Sequence, residues 1–155
     1  MQPPTAPKVF DDRFFALIIG IDNYQNEEIR KLKGCVNDSE NVCLFLTEYL
    51  HVNPAHIKHL RDGEATRENI LSAFEKHLIS NQEIQLNDAI VFYFGGHGSC
   101  AKHPDGNIMQ TICPYDYRMG VRAITDQFIA SLMRRLANLK GNNIVSVIIC
   151  TFRLL

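Results

Sequence analysis

A histidine set among glycines, Gly95-Gly96-His97-Gly98, follows directly on the apolar run AIVFYF at residues 89–94. The glycines let the backbone turn sharply, leave the imidazole nothing to pack against and free backbone N–H groups for an anion. Such a ring suits proton transfer better than structural packing. A second candidate, Cys150, closes the apolar run IVSVII at residues 144–149. If both runs are neighbouring parallel strands they lie about 4.8 Å apart, which brings thiol and imidazole within reach. The imidazole would lower the thiol pKa and later protonate a leaving amine, while a backbone N–H near Gly98 stabilises the oxyanion. Cys150 reads equally well as an inert thiol at a buried strand end. The third feature is Gly34-Cys35-Val36-Asn37-Asp38, at the entry to a helical stretch. Asp38 there is either a helix N-cap or a carboxylate lining a pocket for a basic side chain. A phosphate cradle fits poorly: no lysine stands at P-loop spacing, and no Gly-x-Gly-x-x-Gly follows an apolar run.

These residues need elements to hold them. Residues 14–21 (FFALIIGI) form a continuous apolar run ending at the turn-prone Asp22-Asn23, the mark of a strand buried on both faces. A helix is expected over 38–50, with Val42, Phe45, Leu46 and Tyr49 on one face and Asn37 or Asp38 as N-cap. A short strand follows at 56–60, in which His56 and His59 flank the apolar Ile57 and are expected as surface residues. A helix then starts from Thr66, with Ile70, Leu71, Phe74 and Leu78 on its apolar face. The strand at 89–94 precedes a polar loop of about 25 residues, longer than compact domains usually carry without function. Thr125 caps a third helix presenting Phe128, Ile129, Leu132, Met133 and Leu136, stopped by Gly141, and the strand at 144–149 follows. Strands alternating with helices predict an α/β domain: a mostly parallel sheet with helices on both faces. The order expected across it is 56–60, 14–21, 89–94, 144–149. Chemistry then gathers at the carboxyl edge of the strands, where His97, Cys35, Asp38 and Cys150 all fall.

The chain of 155 residues is the length of one domain, with a disordered leader expected over 1–13 and the domain over 14–155. A formal net charge of −1 argues against a nucleic-acid partner. The longest apolar run has eight residues, far below the roughly 20 of a membrane helix, so no membrane partner is expected. Five cysteines, an odd number without a Cys-x-x-Cys pair or a signal peptide, predict reduced thiols in the cytosol (cytoplasmic) or nucleus.

Six pieces in order, ALIIGIDNY, LKGCVND, DAIVFYFGGHGS, ICPYDY, ITDQF and NNIVSVII, resemble the caspase-type cysteine peptidases, and among them the metacaspases, over residues 14–149. The resemblance implies a caspase-like three-layer fold and endopeptidase activity on a polypeptide substrate after Arg or Lys. It implies His97 as the catalytic histidine, Gly98 as an oxyanion N–H donor, and Cys35 with Asp38 in the substrate pocket. A pocket position often held by Ser is Gly95 here. The family's activating calcium site uses two consecutive acids after Ile-Thr, where this chain has Asp126 and then Gln127, so no metal is assigned. At the nucleophile the chain departs from the family. The ungapped register puts Phe152 on the catalytic cysteine, and the register anchored at Asn143 puts Thr151 there, so Cys150 is out of register in both. The resemblance implies further strands after 144–149, so a domain truncated at its active-site strand is expected. The expectation is an inactive peptidase domain; the alternative is a non-catalytic caspase-like interaction module.

Overall fold

The computed structural model describes residues 13–152. The expected leader lies outside these residues except for Arg13. Arg13 is already part of the domain: its carbonyl accepts the Ala89 N–H and its guanidinium pairs with Asp88.

The strands are β1 (Phe14–Gly20), β2 (Ile57–Arg61), β3 (Ala89–Lys102), β4 (Ile108–Ile112), β5 (Ile124–Thr125) and β6 (Ile144–Phe152). The helices are α1 (Cys35–Leu44), α2 (Arg67–Ala73) and α3 (Asp126–Lys140). β2, β1, β3 and β6 lie side by side and parallel, in the order expected from sequence. One core packs Phe15, Leu17, Ile19, Ile90, Phe92 and Phe94 of the sheet against Ile70, Phe74 and Leu78, and against Ile129 and Leu136 of α3. The other face buries Ala16, Ile18 and Tyr93 against Leu46 and Val52 on the α1 side. Residues of β1 and β3 alternate between the two cores, as the period of two requires. Helices on both faces of a mostly parallel sheet give the caspase-like three-layer α/β arrangement.

Several expectations change. Residues 95–98 make no sharp turn; β3 runs through them to Lys102. This is possible because β4 arrives where β1 ends and pairs antiparallel with β3 from Gly98↔Ile112 to Lys102↔Ile108. The long polar loop therefore contains a hairpin, whose polar Gln110 and Thr111 hid the strand. Helix α1 starts at Cys35, not Asp38, and its N-cap is Gly34 at φ 127°, a backbone conformation that favours glycine. Its last turns, Phe45–Tyr49, widen to the i→i+5 bond between the Leu50 N–H and the Phe45 carbonyl. Leu46 stays on the sheet, but Phe45 (52% exposed) and Tyr49 (76%) rotate off it and stack on each other. His56 is no surface residue: it is buried and stacked on Phe15 at 4.1 Å. His59 is half-buried, with Nε2 2.8 Å from the hydroxyl of fully buried Ser39. Thr66 and Thr125 cap their helices as expected, accepting the Asn69 and Phe128 N–H groups.

Candidate functional site

His97 stands on β3 just beyond the end of β1, where the strand would otherwise have a bare edge. Its N–H donates to the Tyr24 hydroxyl at 2.7 Å, and its carbonyl accepts the Cys113 N–H at 2.9 Å. The Tyr24 ring also packs at 5.2 Å from the imidazole. Burial pushes the Tyr24 phenol well above its ordinary range, so it stays neutral and can accept that N–H. Imidazole Nε2 lies 2.7 Å from the Arg30 carbonyl. A carbonyl only accepts, so Nε2 carries the proton and Nδ1 is left as the basic atom of the neutral ring. Gly96 is needed here because a Cβ would stand 2.9 Å from both the Phe94 ring and the Tyr24 hydroxyl. His97 and Gly98 line a cavity of about 80 Å³ with Arg30, Ser99, Cys113 and Tyr117.

Two carboxylates that sequence reading passed over position Cys35 and Asp38. Asp22 accepts the N–H groups of Gly34, Cys35 and Val36, serving the first turn of α1 from thirteen residues away at its closest bond, 2.9 Å to Cys35. Unpaired N–H groups at a helix start favour such an anion. Asp22 is itself held by Asp62, whose Oδ1 accepts the Asp22 and Asn23 N–H groups at 2.8 and 2.9 Å. The only signal in the sequence is an acid directly after each of two strands. Gly20 permits the close approach, because a Cβ there would fall 2.3 Å from Ser39 Oγ and 2.6 Å from the Cys35 carbonyl. Burial, with Asp22 next, pushes the Cys35 thiol up to about 11. Asp38 follows on the exposed side of the first turn.

His97, Cys35 and Asp38 thus all lie toward the carboxyl edge of the sheet, but the cavity at His97 is lined by neither Cys35 nor Asp38. Cys150 is placed differently. β6 registers Cys150 with Gly96 and Thr151 with His97. Registered residues of a parallel pair share a face, so Thr151 is the residue beside His97. The Cys150 side chain packs on the opposite core and lines a separate cleft with Ile112, Ile129, Ala130 and Ile148. Burial, and then Cys35, pushes its thiol up to about 12. The ladder that joins the Ile90 N–H to the Asn143 carbonyl continues to Gly98↔Phe152, which directs the Gly98 N–H toward β6. At the expected calcium position, Asp126 opens α3 and accepts the Gln127 N–H. Among the described residues no three His, Cys, Asp or Glu side chains come together around a cation.

An imidazole pinned at the carboxyl edge of a parallel sheet, one strand from the last strand, defines a caspase-like domain. The family model described as metacaspase, peptidase C14 domain matches residues 15–152, and the chain belongs to that family of cysteine peptidases. It is 32% identical over 131 residues to Metacaspase-1A of Neurospora crassa, covering 78% of this chain and 28% of the relative. It is 36% identical over 98 residues to Metacaspase-1 of Candida glabrata, covering 59% of this chain and 24% of the relative. The chain therefore spans about a quarter of these relatives' length. A crystal structure of a protein from Geobacter sulfurreducens matches with a TM-score of 0.65 at 18% identity, over 90% of this chain and 50% of that one. That likeness speaks for the fold alone. No helix among the described residues is long and apolar enough to cross a membrane.

Proposed function

We propose that this domain supplies the imidazole and the basic-residue pocket of an endopeptidase site directed at Arg or Lys, and that the chain as it stands binds such peptides without cleaving them. The observation that carries the reading is the His97 geometry: with Nε2 donating to the Arg30 carbonyl and both backbone groups held, Nδ1 is the atom free to take a proton. In the family reaction that proton comes from a cysteine thiol, whose thiolate attacks the peptide carbonyl; the imidazolium then protonates the departing amine. Cys35 and Asp38, on the first turn of α1, would receive the substrate's cationic side chain.

Three placements support the absence of turnover. Thr151 stands where a thiol is required, the Cys150 thiol is neutral and turned to the other core, and the Gly98 N–H is directed into the sheet. The same placements favour the second reading, an interaction module that recognises basic peptides. The five unpaired cysteines support a reducing compartment, the cytosol or nucleus. The test is hydrolysis of Arg- and Lys-containing reporter peptides, with and without calcium. No turnover is expected, and activity that vanishes in Cys150→Ala would overturn the reading.

A further inference from the structure

Tyr93 lies on β3 two residues before Gly95, with its ring buried among Ala16, Ile18, Leu46 and Val52. It is only 5% exposed, yet its hydroxyl makes no hydrogen bond among the described residues. The ring is buried but the hydroxyl tip is open, so a water or a ligand can serve it. That hydroxyl is 3.4 Å from the point where a Gly95 Cβ would stand, and the Cys35 Cβ is 3.5 Å from the same point. Asp38 stands on the same first turn of α1 as Cys35. Burial first, and then the Asp38 charge, pushes the Tyr93 phenol above its ordinary range, so the group is a neutral hydroxyl at neutral pH. The Asp38 side chain, exposed on the first turn of α1, makes no hydrogen bond or ion pair among the described residues. The space at Gly95 is therefore bordered by the Tyr93 hydroxyl and Cys35, with the Asp38 carboxylate on the same helical turn as Cys35.

We propose that Tyr93 is a specificity-determining residue of this pocket: its hydroxyl oxygen accepts a hydrogen bond from a guanidinium whose charge is met by Asp38, so that the pocket prefers Arg to Lys. This rests on the reading of Cys35 and Asp38 as a pocket for a basic side chain. The physical ground for the preference is geometric. A guanidinium presents five N–H donors in a planar fork and can reach a carboxylate and a hydroxyl together, whereas an ammonium is a compact point charge satisfied by Asp38 and water. Gly95 keeps the space open, since any side chain there would stand in contact with both Tyr93 and Cys35.

The test is calorimetric or NMR titration of the full chain with three acetylated hexapeptide amides that differ only in carrying Arg, Lys or citrulline. The wild-type chain should bind the Arg peptide best and the uncharged citrulline peptide worst. Tyr93→Phe should weaken the Arg peptide by about tenfold and the Lys peptide far less, collapsing the Arg-to-Lys ratio. A purely structural role for the hydroxyl would weaken both peptides equally. Gly95→Ser in the Tyr93→Phe background should restore the ratio, because a Cβ fits that space at ordinary contact distance. Asp38→Asn should remove binding of both charged peptides. If Asp38→Asn abolishes binding while Tyr93→Phe leaves the ratio unchanged, the role of Tyr93 is refuted and the pocket stands. If the wild-type chain binds no basic peptide, or Asp38→Asn binds as well as wild type, the pocket itself is refuted and Tyr93 with it.

Discussion

Cys150 ends the strand that approaches His97, yet it should be a slow thiol. Its pKa of about 12 leaves a thiolate fraction of about 10⁻⁵ at pH 7. An unperturbed thiol near 8.5 has a fraction of roughly 3 × 10⁻², so the deficit is roughly 3,000-fold. The more basic thiolate is also the better nucleophile: a Brønsted slope of about 0.45 over roughly 3.5 pKa units returns about 40-fold. The expected net retardation is on the order of a hundredfold, before access to the thiol is counted. The sign follows from the cause. Burial favours the neutral form, so the rate should climb about tenfold per pH unit from 7 towards 11 rather than level off near 8.5. The assay is timed labelling with an aromatic disulfide reagent at several pH values, with the site of modification mapped by mass spectrometry. Exposed Cys100 is the internal reference, and a denatured sample gives the limit of equal access. The reasoning would be refuted if Cys150 were labelled as fast as Cys100 at pH 7 and slowed by His97→Ala. That result would mean an imidazole-activated thiol.

Gly20→Ala should destabilise the fold by about 3 kcal/mol in urea unfolding, the upper end for overpacking. Its Cβ meets Ser39 Oγ at 2.3 Å and the Cys35 carbonyl at 2.6 Å. Adding Ser39→Ala should recover only part of the loss, since the backbone contact remains; full recovery would show that the carbonyl clash is not real. The outer edge of β6 should drive self-association at tens of micromolar, because Val145 (54% exposed) and Ile149 (55%) accompany a strand paired, among the described residues, on one side only. Val145→Lys with Ile149→Lys should shift sedimentation towards monomer, and a wild-type chain already monomeric at that concentration would contradict this.

Much of the frame was legible because burial leaves a plain mark. FFALIIGI and AIVFYF are apolar at every position, as strands covered on both faces must be, and Thr66 and Thr125 announce their helices. What failed was whatever depends on a distant partner. Nothing near Gly95 says that β4 and Tyr24 will receive the backbone, so the glycines read as a turn although they continue a strand. Nothing near Cys35 says that Asp22 will serve the helix start, so Asp38 seemed to be needed as the cap. Phe45 and Tyr49 matched a helical stripe, but the widening of the last turns moved them off it. Of the candidate site, what was legible is that His97, Cys35 and Asp38 fall toward the same carboxyl edge. The side to which Cys150 points needed the register of β6, which one residue of slip reverses.

The carboxylate chain from Asp62 through Asp22 to the head of α1 bears on the order in which the molecule assembles. The helix lies next to β1 in sequence, but its first turn is completed by a bond that spans 40 residues, from Asp62 to the Asp22 N–H. Closing a loop of that size costs about 3 kcal/mol in chain entropy beyond its constant part. Docking of β2 on β1 has to meet that cost before Asp62 can hold Asp22 in place. The corner bearing Cys35 and Asp38 should therefore be a late event in folding. In pulsed amide exchange during refolding, the Cys35 N–H should become protected after the β1 and β2 amides. Protection of Cys35 first would show that the helix start forms on its own.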